Sequence, residues 1–92
     1  MNKIVLVSNS EYKPEYEALL LSFLDEEFEL FCVVGTDCEL WEEVMDELAI
    51  GDGEKPRYIT TTSHPNESVE DVIEFAQIFS TTLNGEVRVV RT

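Results

Sequence analysis

The sequence predicts a single α/β domain over residues 1–92, in which four strands of a mainly parallel sheet alternate with three helices. Two observations predict this class: short apolar runs alternate with longer segments of helical periodicity, and the first two runs are apolar throughout. Alternation of strands and helices gives parallel sheets with helices on their faces, and continuously apolar strands suit a sheet covered on both sides. At 92 residues, of which 43% are hydrophobic, the chain has the size and composition of one globular domain.

The first strand is predicted at 3–8, where four consecutive apolar residues begin at Ile4. Pro14 suits the first position of a helix, which we expect to run to about Glu26. The apolar side chains of this segment recur at helical spacing, namely Tyr16, Leu19, Leu20, Phe23 and Leu24.

The second strand is predicted at 30–34 and is followed by Gly35. Thr36 and Glu39 then have the spacing of a capping box, in which each side chain accepts a hydrogen bond from the other residue's backbone N–H. We therefore expect the second helix to begin after Thr36 and to run to about Ile50, where a Gly-Asp-Gly sequence ends it.

The third strand is predicted at 57–62, which is β-branched but more polar than the first two strands, and a turn follows at 64–66. Ser68 and Asp71 repeat the signature of a helix start. The third helix is expected to run to about Leu83, where an Asn-Gly pair closes it.

The last strand is predicted at 86–91, where Val alternates with Arg in the pattern of a partly exposed edge strand. The first strand is the most apolar of the four, which indicates an interior position. Together with right-handed crossovers, these features predict the strand order 2-1-3-4.

The negative charge of the chain is concentrated in its middle. Residues 14–54 contain fourteen Asp and Glu but no Lys, Arg or His, and they account for the whole net charge of −14 because the two ends cancel. Such a charge acts on partners and encounter rates rather than on the fold. It repels nucleic acids and anionic membranes and attracts basic proteins, so we expect no direct binding to nucleic acid or membrane.

Two further features indicate a cytoplasmic location. The longest apolar runs are far shorter than the roughly 20 residues of a membrane-spanning helix, and no signal peptide pattern precedes the first strand. Two cysteines are too few for a disulfide framework. Cys32 falls in a predicted strand and Cys38 at a predicted helix start, positions that are awkward to bridge.

The second helix is divided lengthwise into an apolar half and an anionic half. On a helical wheel with Leu40 at zero, the apolar side chains span about 0–140° and the acids about 200–340°. Acids four residues apart repel one another, and no basic residue relieves the repulsion. Because stability alone does not explain this pattern, we predict a surface for a basic partner, formed by Glu39, Glu42, Glu43, Asp46, Glu47 and Trp41.

These residues also have structural interpretations. The acids suit the solvated face of a surface helix, or adaptation to high salt, although the neutral ends of the chain argue against the latter. Trp41 suits core packing as well as an anchor at an interface. No acidic loop has the spacing of a calcium site, and carboxylates along one helix face do not converge. We therefore expect neither a metal nor a cofactor.

The loops after the strands form a second candidate site, because ligands of open α/β sheets bind outside the carboxyl ends of the strands. Asn9, Thr36, Cys38 and His64 fall in these loops, and Cys38 with His64 has the composition of a nucleophile–base pair. The alternative is a partly buried free cysteine and a histidine in a turn. The sequence contains no glycine-rich phosphate-binding motif.

The α/β plan, together with Leu40-Trp41-Glu42 on an acidic helix, resembles the barstar-type nuclease inhibitors. The resemblance implies a small cytoplasmic protein that uses an acidic helix against a basic active site, and no residue roles are carried over. We therefore expect a non-enzymatic domain that docks its anionic helix onto a basic protein, such as a nuclease or another nucleic-acid-acting enzyme. Its role would be that of an inhibitor, an immunity protein or a nucleic-acid mimic.

Two alternatives remain open at the level of sequence. One is a small enzyme or ligand-binding domain that uses the loops at the carboxyl ends of the strands. The other is a subunit that assembles through the edge strand near Arg88. The sequence leaves the oligomeric state undetermined.

Overall fold

A computed structural model describes residues 3–26, 28–51, 53, 58–79 and 86–92. Four strands form one parallel sheet in the order β3-β2-β1-β4. The predicted α/β class with a parallel sheet and three helices is therefore confirmed. In chain order the elements are β1 (Lys3–Ser8), a 3-10 turn (Pro14–Tyr16), α1 (Glu17–Leu24), β2 (Leu30–Gly35), α2 (Cys38–Ile50), β3 (Thr60–His64), α3 (Val69–Ile78) and β4 (Val87–Arg91).

The predicted strand order 2-1-3-4 is wrong in its placement of β3. β1 lies inside the sheet beside β2, and β4 forms an edge, as expected, but β3 pairs with β2 rather than with β1. The cause is that Leu30–Gly35 is buried over its five apolar residues, so β2 needs a neighbour on each side. The polar sequence of β3 tolerates the edge position that remains.

The helices cover the two faces of the sheet unequally. α1 and α2 pack on one face, where the core contains Ile4 and Leu6 of β1 and Phe31 and Val33 of β2. α3 packs on the opposite face, against the alternate residues of the same strands. This arrangement follows from right-handed crossovers: the chain steps from β1 to β3 in one direction and returns to β4 in the other.

A buried lysine at the start of β1 holds the end of α3 against the sheet. The Lys3 side chain lies on the α3 face, and its Nζ donates hydrogen bonds to the carbonyl oxygens of Gln77 (3.2 Å) and Phe79 (2.7 Å). A cation at this position complements the negative end of the helix macrodipole. Lys3 therefore fastens the end of α3 to the centre of the sheet.

Several element boundaries differ from the sequence-based expectations. The predicted helix of 14–26 begins with a 3-10 turn and ends at Leu24. β3 starts at Thr60 and extends to His64 because it pairs with β2 over five residues, so the predicted span of 57–62 lies too early. β4 covers all but the first residue of its predicted span, and α3 ends at Ile78.

Some of the predicted features lie outside the described residues. They are Arg57 in the third strand, Asp52 after the second helix, and residues 80–85, which include the predicted Asn84-Gly85 closure of the third helix. No helix in the described part of the chain has the length and apolar character needed to cross a bilayer.

The two predicted helix-capping motifs have different outcomes. The Ser68 cap is confirmed, since its Oγ accepts a hydrogen bond from the N–H of Asp71 at 3.1 Å. The capping box of Thr36 and Glu39 is wrong. The residue before α2 is Asp37, which has left-handed backbone angles and no side-chain bond to its own helix. The Asp37 carboxylate instead accepts from the N–H of Tyr12 at 3.0 Å, so it ties the two loops together.

Gly35 is the residue that permits this turn between β2 and α2. Its φ of +104° is strained for other residues, and a Cβ added there would lie 2.2 Å from the carbonyl oxygen of Ser8. The N–H of Thr36 donates to the same oxygen at 3.0 Å. The close approach of β1 and β2 at this point therefore requires glycine.

Replacing Gly35 with Ala is expected to lower the free energy of unfolding by about 3 kcal/mol or more, because the strained φ and the clash with Ser8 act together. Urea unfolding measures this change. Gly53→Ala is the matched control: φ is also positive (+87°), but no atom lies within 4 Å of the added Cβ, so only about 1 kcal/mol should be lost. Equal losses at the two positions would contradict the proposed close approach.

Candidate functional site

The orientation of α2 decides which of its side chains are available to a partner. The buried residues of this helix are Cys38, Trp41, Met45 and Ala49. On the helical wheel with Leu40 at zero, these four residues are centred at about 140°, and this side of the helix faces the sheet. The apolar half that was expected to face the core is centred at about 70° on that wheel. α2 is therefore turned by about 70° from the orientation that hydrophobicity alone suggests, and Leu40 is 43% exposed.

Trp41 explains this rotation. Its indole is fully buried, and its Nε1 donates a hydrogen bond to Ser8 Oγ at 3.0 Å. The Tyr12 ring meets the indole edge-on with centroids 4.9 Å apart, and the Tyr16 ring lies at the same distance. The core interpretation of Trp41 is therefore confirmed, and this side chain is not part of the exposed surface.

The five predicted acids divide into two groups. Asp46 is exposed but is tied to the sheet, because its Oδ1 accepts a hydrogen bond from Thr61 Oγ1 at 2.6 Å. Glu42 lies one turn earlier on the same flank of the helix and is half-buried. Glu39, Glu43 and Glu47 are exposed and point away from the sheet.

No cation neutralises these carboxylates within the part of the chain that the structure describes. The salt bridges there join His64 to Glu67 at 2.8 Å and Arg88 to Glu26 at 3.3 Å, and neither involves α2. Acids four residues apart on one helix face repel one another. The exposed acids of α2 therefore remain a source of repulsion within the folded chain.

Two apolar side chains lie among the exposed acids, and sequence reasoning missed both of them as site residues. Leu40 is 43% exposed and Ile50 is 58% exposed. They stand ten residues apart, or about 15 Å along the helix. Ile50 falls between Glu39 and Glu43 on the helical wheel, so its exposure is predictable from the sequence. Leu40 falls in the apolar half of the wheel, so its exposure is not. We define the acidic face as Glu39, Leu40, Glu43, Glu47 and Ile50.

The second predicted site, in the strand-end loops, is not assembled as a nucleophile–base pair. Cys38 is buried in the core formed with α1 and α2. His64 pairs with Val34, whose side chain belongs to the opposite core, and the His64 ring packs edge-on against Phe75 of α3. The two side chains therefore lie on opposite faces of the sheet.

The remaining contacts of the four strand-end residues are structural. Both ring nitrogens of His64 are engaged, Nε2 with Thr62 Oγ1 at 2.7 Å and Nδ1 with Glu67 Oε2 at 2.8 Å. Asn9 is exposed and donates to the carbonyl oxygen of Thr92 at 3.2 Å. Thr36 is exposed in the turn after β2. No arrangement of these side chains converges on one point.

An open cavity of about 390 Å³ lies at the carboxyl ends of β2 and β3. Of the four predicted strand-end residues, only Cys38 lines this cavity. The carboxylates of Asp37 and Glu39 also line it, so the cavity does not favour an anion. Its lining consists of Gly35, Asp37, Cys38, Glu39, Leu40, Pro65 and Asn66.

The cysteines and the acids offer no other chemical site among the described residues. Cys32 and Cys38 are both free and buried, and they belong to cores on opposite faces of the sheet. Burial raises the pKa of the Cys32 thiol, which disfavours the reactive thiolate. In the described part of the chain, no group of three or more His, Cys, Asp or Glu is arranged to hold a metal ion.

Comparison with known proteins finds neither a matching curated protein nor a matching solved structure. A family model with the description "Domain of unknown function (DUF7684)" matches residues 2–91. Because this match covers nearly the whole chain, the protein belongs to the DUF7684 family.

Proposed function

We propose that this chain is a non-enzymatic binding domain that docks the acidic face of α2 onto a basic surface of another protein. The observation that carries the proposal is the composition of that face. Three exposed carboxylates without a cationic partner in the described part of the chain share that face with two exposed apolar side chains. A helix face that only contacts water would require the acids but not the exposed side chains of Leu40 and Ile50.

The two kinds of side chain make different contributions to binding. Unpaired carboxylates steer a basic partner toward the face and raise the association rate. Leu40 and Ile50 remove apolar area from water once the complex forms, and such contacts mainly slow dissociation. Their separation of about 15 Å fits a contact made along one face of the helix.

The proposed partner class is a nucleic-acid-acting enzyme, because its active site already presents basic groups that bind phosphates. Carboxylates of α2 would take the places of phosphates, and the bound domain would block access to the site. In this proposal the chain acts as an inhibitor, an immunity protein or a nucleic-acid mimic. Asp46 and Glu42 play a lesser part than the sequence suggests, since one is bonded to Thr61 and the other is half-buried.

Replacing Glu43 with Lys is expected to raise the free energy of unfolding by about 1 kcal/mol at low salt, because two repulsive contacts, with Glu39 and Glu47, become attractive. Urea unfolding measures the gain. Glu43→Gln is the control and should give about half of it, since repulsion is removed but no attraction is added. A loss of stability in Glu43→Lys would contradict the claim that this face is kept at a cost to the fold.

The triple replacement of Glu39, Glu43 and Glu47 with Lys is expected to weaken binding to the native partner by about a hundredfold or more, mostly through slower association. The partner is first captured from an extract of the native host with the wild-type chain and then purified for kinetic measurements at several salt concentrations. Circular dichroism and urea unfolding verify that each variant is folded.

The matched control reverses three exposed acids of α3, Glu70, Asp71 and Glu74, so that the net charge changes by the same amount. This control variant should bind nearly as well as the wild type. If both triple variants lose affinity equally, net charge rather than the acidic face governs binding, and the proposal fails. Leu40→Ser and Ile50→Ser leave the charge unchanged and should each speed dissociation several-fold.

A further inference from the structure

The sheet has two edges, and they differ in charge and composition. β3 is polar, and α2 with its acids packs over β2 and β3. β4 reads Val-Arg-Val-Val-Arg, and Arg88, Val89 and Arg91 are exposed. Basic and apolar side chains therefore meet along the β4 edge.

The backbone direction of β4 identifies which of its groups face outward. The N–H of Thr92 donates to the carbonyl oxygen of Val7 in β1. Because N–H and C=O groups alternate sides along a strand, those of Val90 and Arg88 also point to β1, and those of Val87, Val89 and Arg91 point away from the sheet. An edge that presents such a row of groups is a template for another strand.

These three outward residues permit a self-complementary antiparallel pairing. When a two-fold axis passes beside Val89, this residue lies opposite its own copy and Val87 lies opposite Arg91. Arg88 then lies opposite Val90, so no arginine faces an arginine across the pair. Every outward N–H and C=O group of Val87, Val89 and Arg91 finds a partner in this register.

A groove with both apolar and polar side chains lines the same edge on the α3 face. It has a volume of about 380 Å³ and is bounded by Ile73, Gln77, Glu86, Val87 and Val89. Val89 is 37% exposed there. In the two-fold pairing, side chains of opposed residues lie on the same face of the sheet, so the grooves of the two copies open onto each other and the two Val89 side chains meet.

The distribution of charge determines which edge two copies can share. If strands are spaced by about 4.8 Å, pairing through β4 keeps the two α2 helices about 29 Å apart, whereas pairing through β3 would bring them to about 10 Å. Screening at physiological salt acts over about 8 Å. Repulsion between the two acidic faces therefore strongly disfavours a dimer formed through β3 and hardly affects a dimer formed through β4.

We propose that the chain forms a two-fold homodimer through antiparallel pairing of its β4 strands around Val89, which joins two four-stranded sheets into one of eight. The occupant of the β4 edge is thus a second copy of this chain. The acidic faces stand at the two outer ends of the dimer and remain free. This inference does not depend on the proposed function of the acidic face.

Sedimentation equilibrium of the full chain, from micromolar to submillimolar concentrations, tests the proposal. We expect a species of twice the 10.5 kDa chain mass, which forms more tightly at high salt because screening reduces the repulsion between two anionic chains. A monomer throughout this range would overturn the proposal. A dimer that dissociates as salt is raised would also overturn it, because an acid–arginine contact between copies would then hold it together.

Two substitutions at the axis should weaken the dimer without disturbing the fold. Val89→Lys places two ammonium groups opposite each other and should raise the dimer dissociation constant about tenfold or more. Val89→Pro removes an outward N–H and leaves the bonds to β1 in place, which an edge strand tolerates. Thr60→Lys on the exposed β3 edge is the control for added charge and should dimerise like the wild type. Unchanged dimerisation of both Val89 variants would exclude this interface.

The register is tested by oxidation of variants in which one residue of β4 is replaced with Cys, while the native Cys32 and Cys38 remain buried. In the proposed pairing two copies of residue 89 lie about 5.5 Å apart at Cα, within the range that a disulfide spans. Val89→Cys should therefore give a covalent dimer under mild oxidation. Two copies of residue 88 lie roughly 7–8 Å apart, so Arg88→Cys should not, and equal cross-linking of the two variants would contradict the register.

Discussion

The burial of Trp41 is the interaction on which the surface of this protein depends. Its indole N–H reaches Ser8 Oγ at the end of β1, and Tyr12 and Tyr16 enclose the ring. A buried indole needs a hydrogen-bond partner, and Ser8 is the one that the sheet offers at this point. The bond sets the rotation of α2 about its axis. That rotation turns Glu43 and the other exposed acids outward and brings Leu40 to the surface with them.

A second constraint acts through the sheet. The central residues of β1 and β2 are apolar and are buried on both faces of the sheet, so each of these strands requires a neighbour on either side. The polar β3 and the half-exposed β4 then become the edges. Because α2 follows β2, its acids lie over the β3 half, and the arginines of β4 lie at the other end. Two surfaces of different character therefore result from the same burial requirement: an acidic face suited to a basic partner and an edge strand suited to a second copy.

Much of this fold was predictable from sequence because the strongest signals are local. The bounds of β1, the Ser68 cap and the end of α2 follow from apolar runs and capping chemistry that neighbouring residues supply. The errors arose where tertiary contacts override local preference. Asp37 gives its carboxylate to the distant Tyr12 rather than to its own helix, and the place of β3 depends on the burial of β2.

The sequence predicts that the candidate site lies on α2, but it does not predict which residues form the site. The charge pattern identified α2, but a wheel built on hydrophobicity cannot show that Trp41, rather than Leu40, marks the centre of the buried side. For the same reason the wheel does not separate Asp46, which is exposed but bonds Thr61, from the acids that point away from the sheet. The sequence suggests a pair of Cys38 and His64 because both fall near the carboxyl ends of predicted strands. Only the alternation of side chains across the sheet reveals that they lie on opposite faces.

The rotation of α2 is tested most directly by the fluorescence of Trp41, because the chain contains a single tryptophan. Acrylamide quenching is compared between the native chain and the chain unfolded in urea. We expect a blue-shifted native emission that acrylamide quenches weakly, because Tyr12, Tyr16 and Ser8 enclose the indole. Native quenching as strong as that of the unfolded chain would place Trp41 on the surface, and the orientation of the acidic face described above would then be wrong.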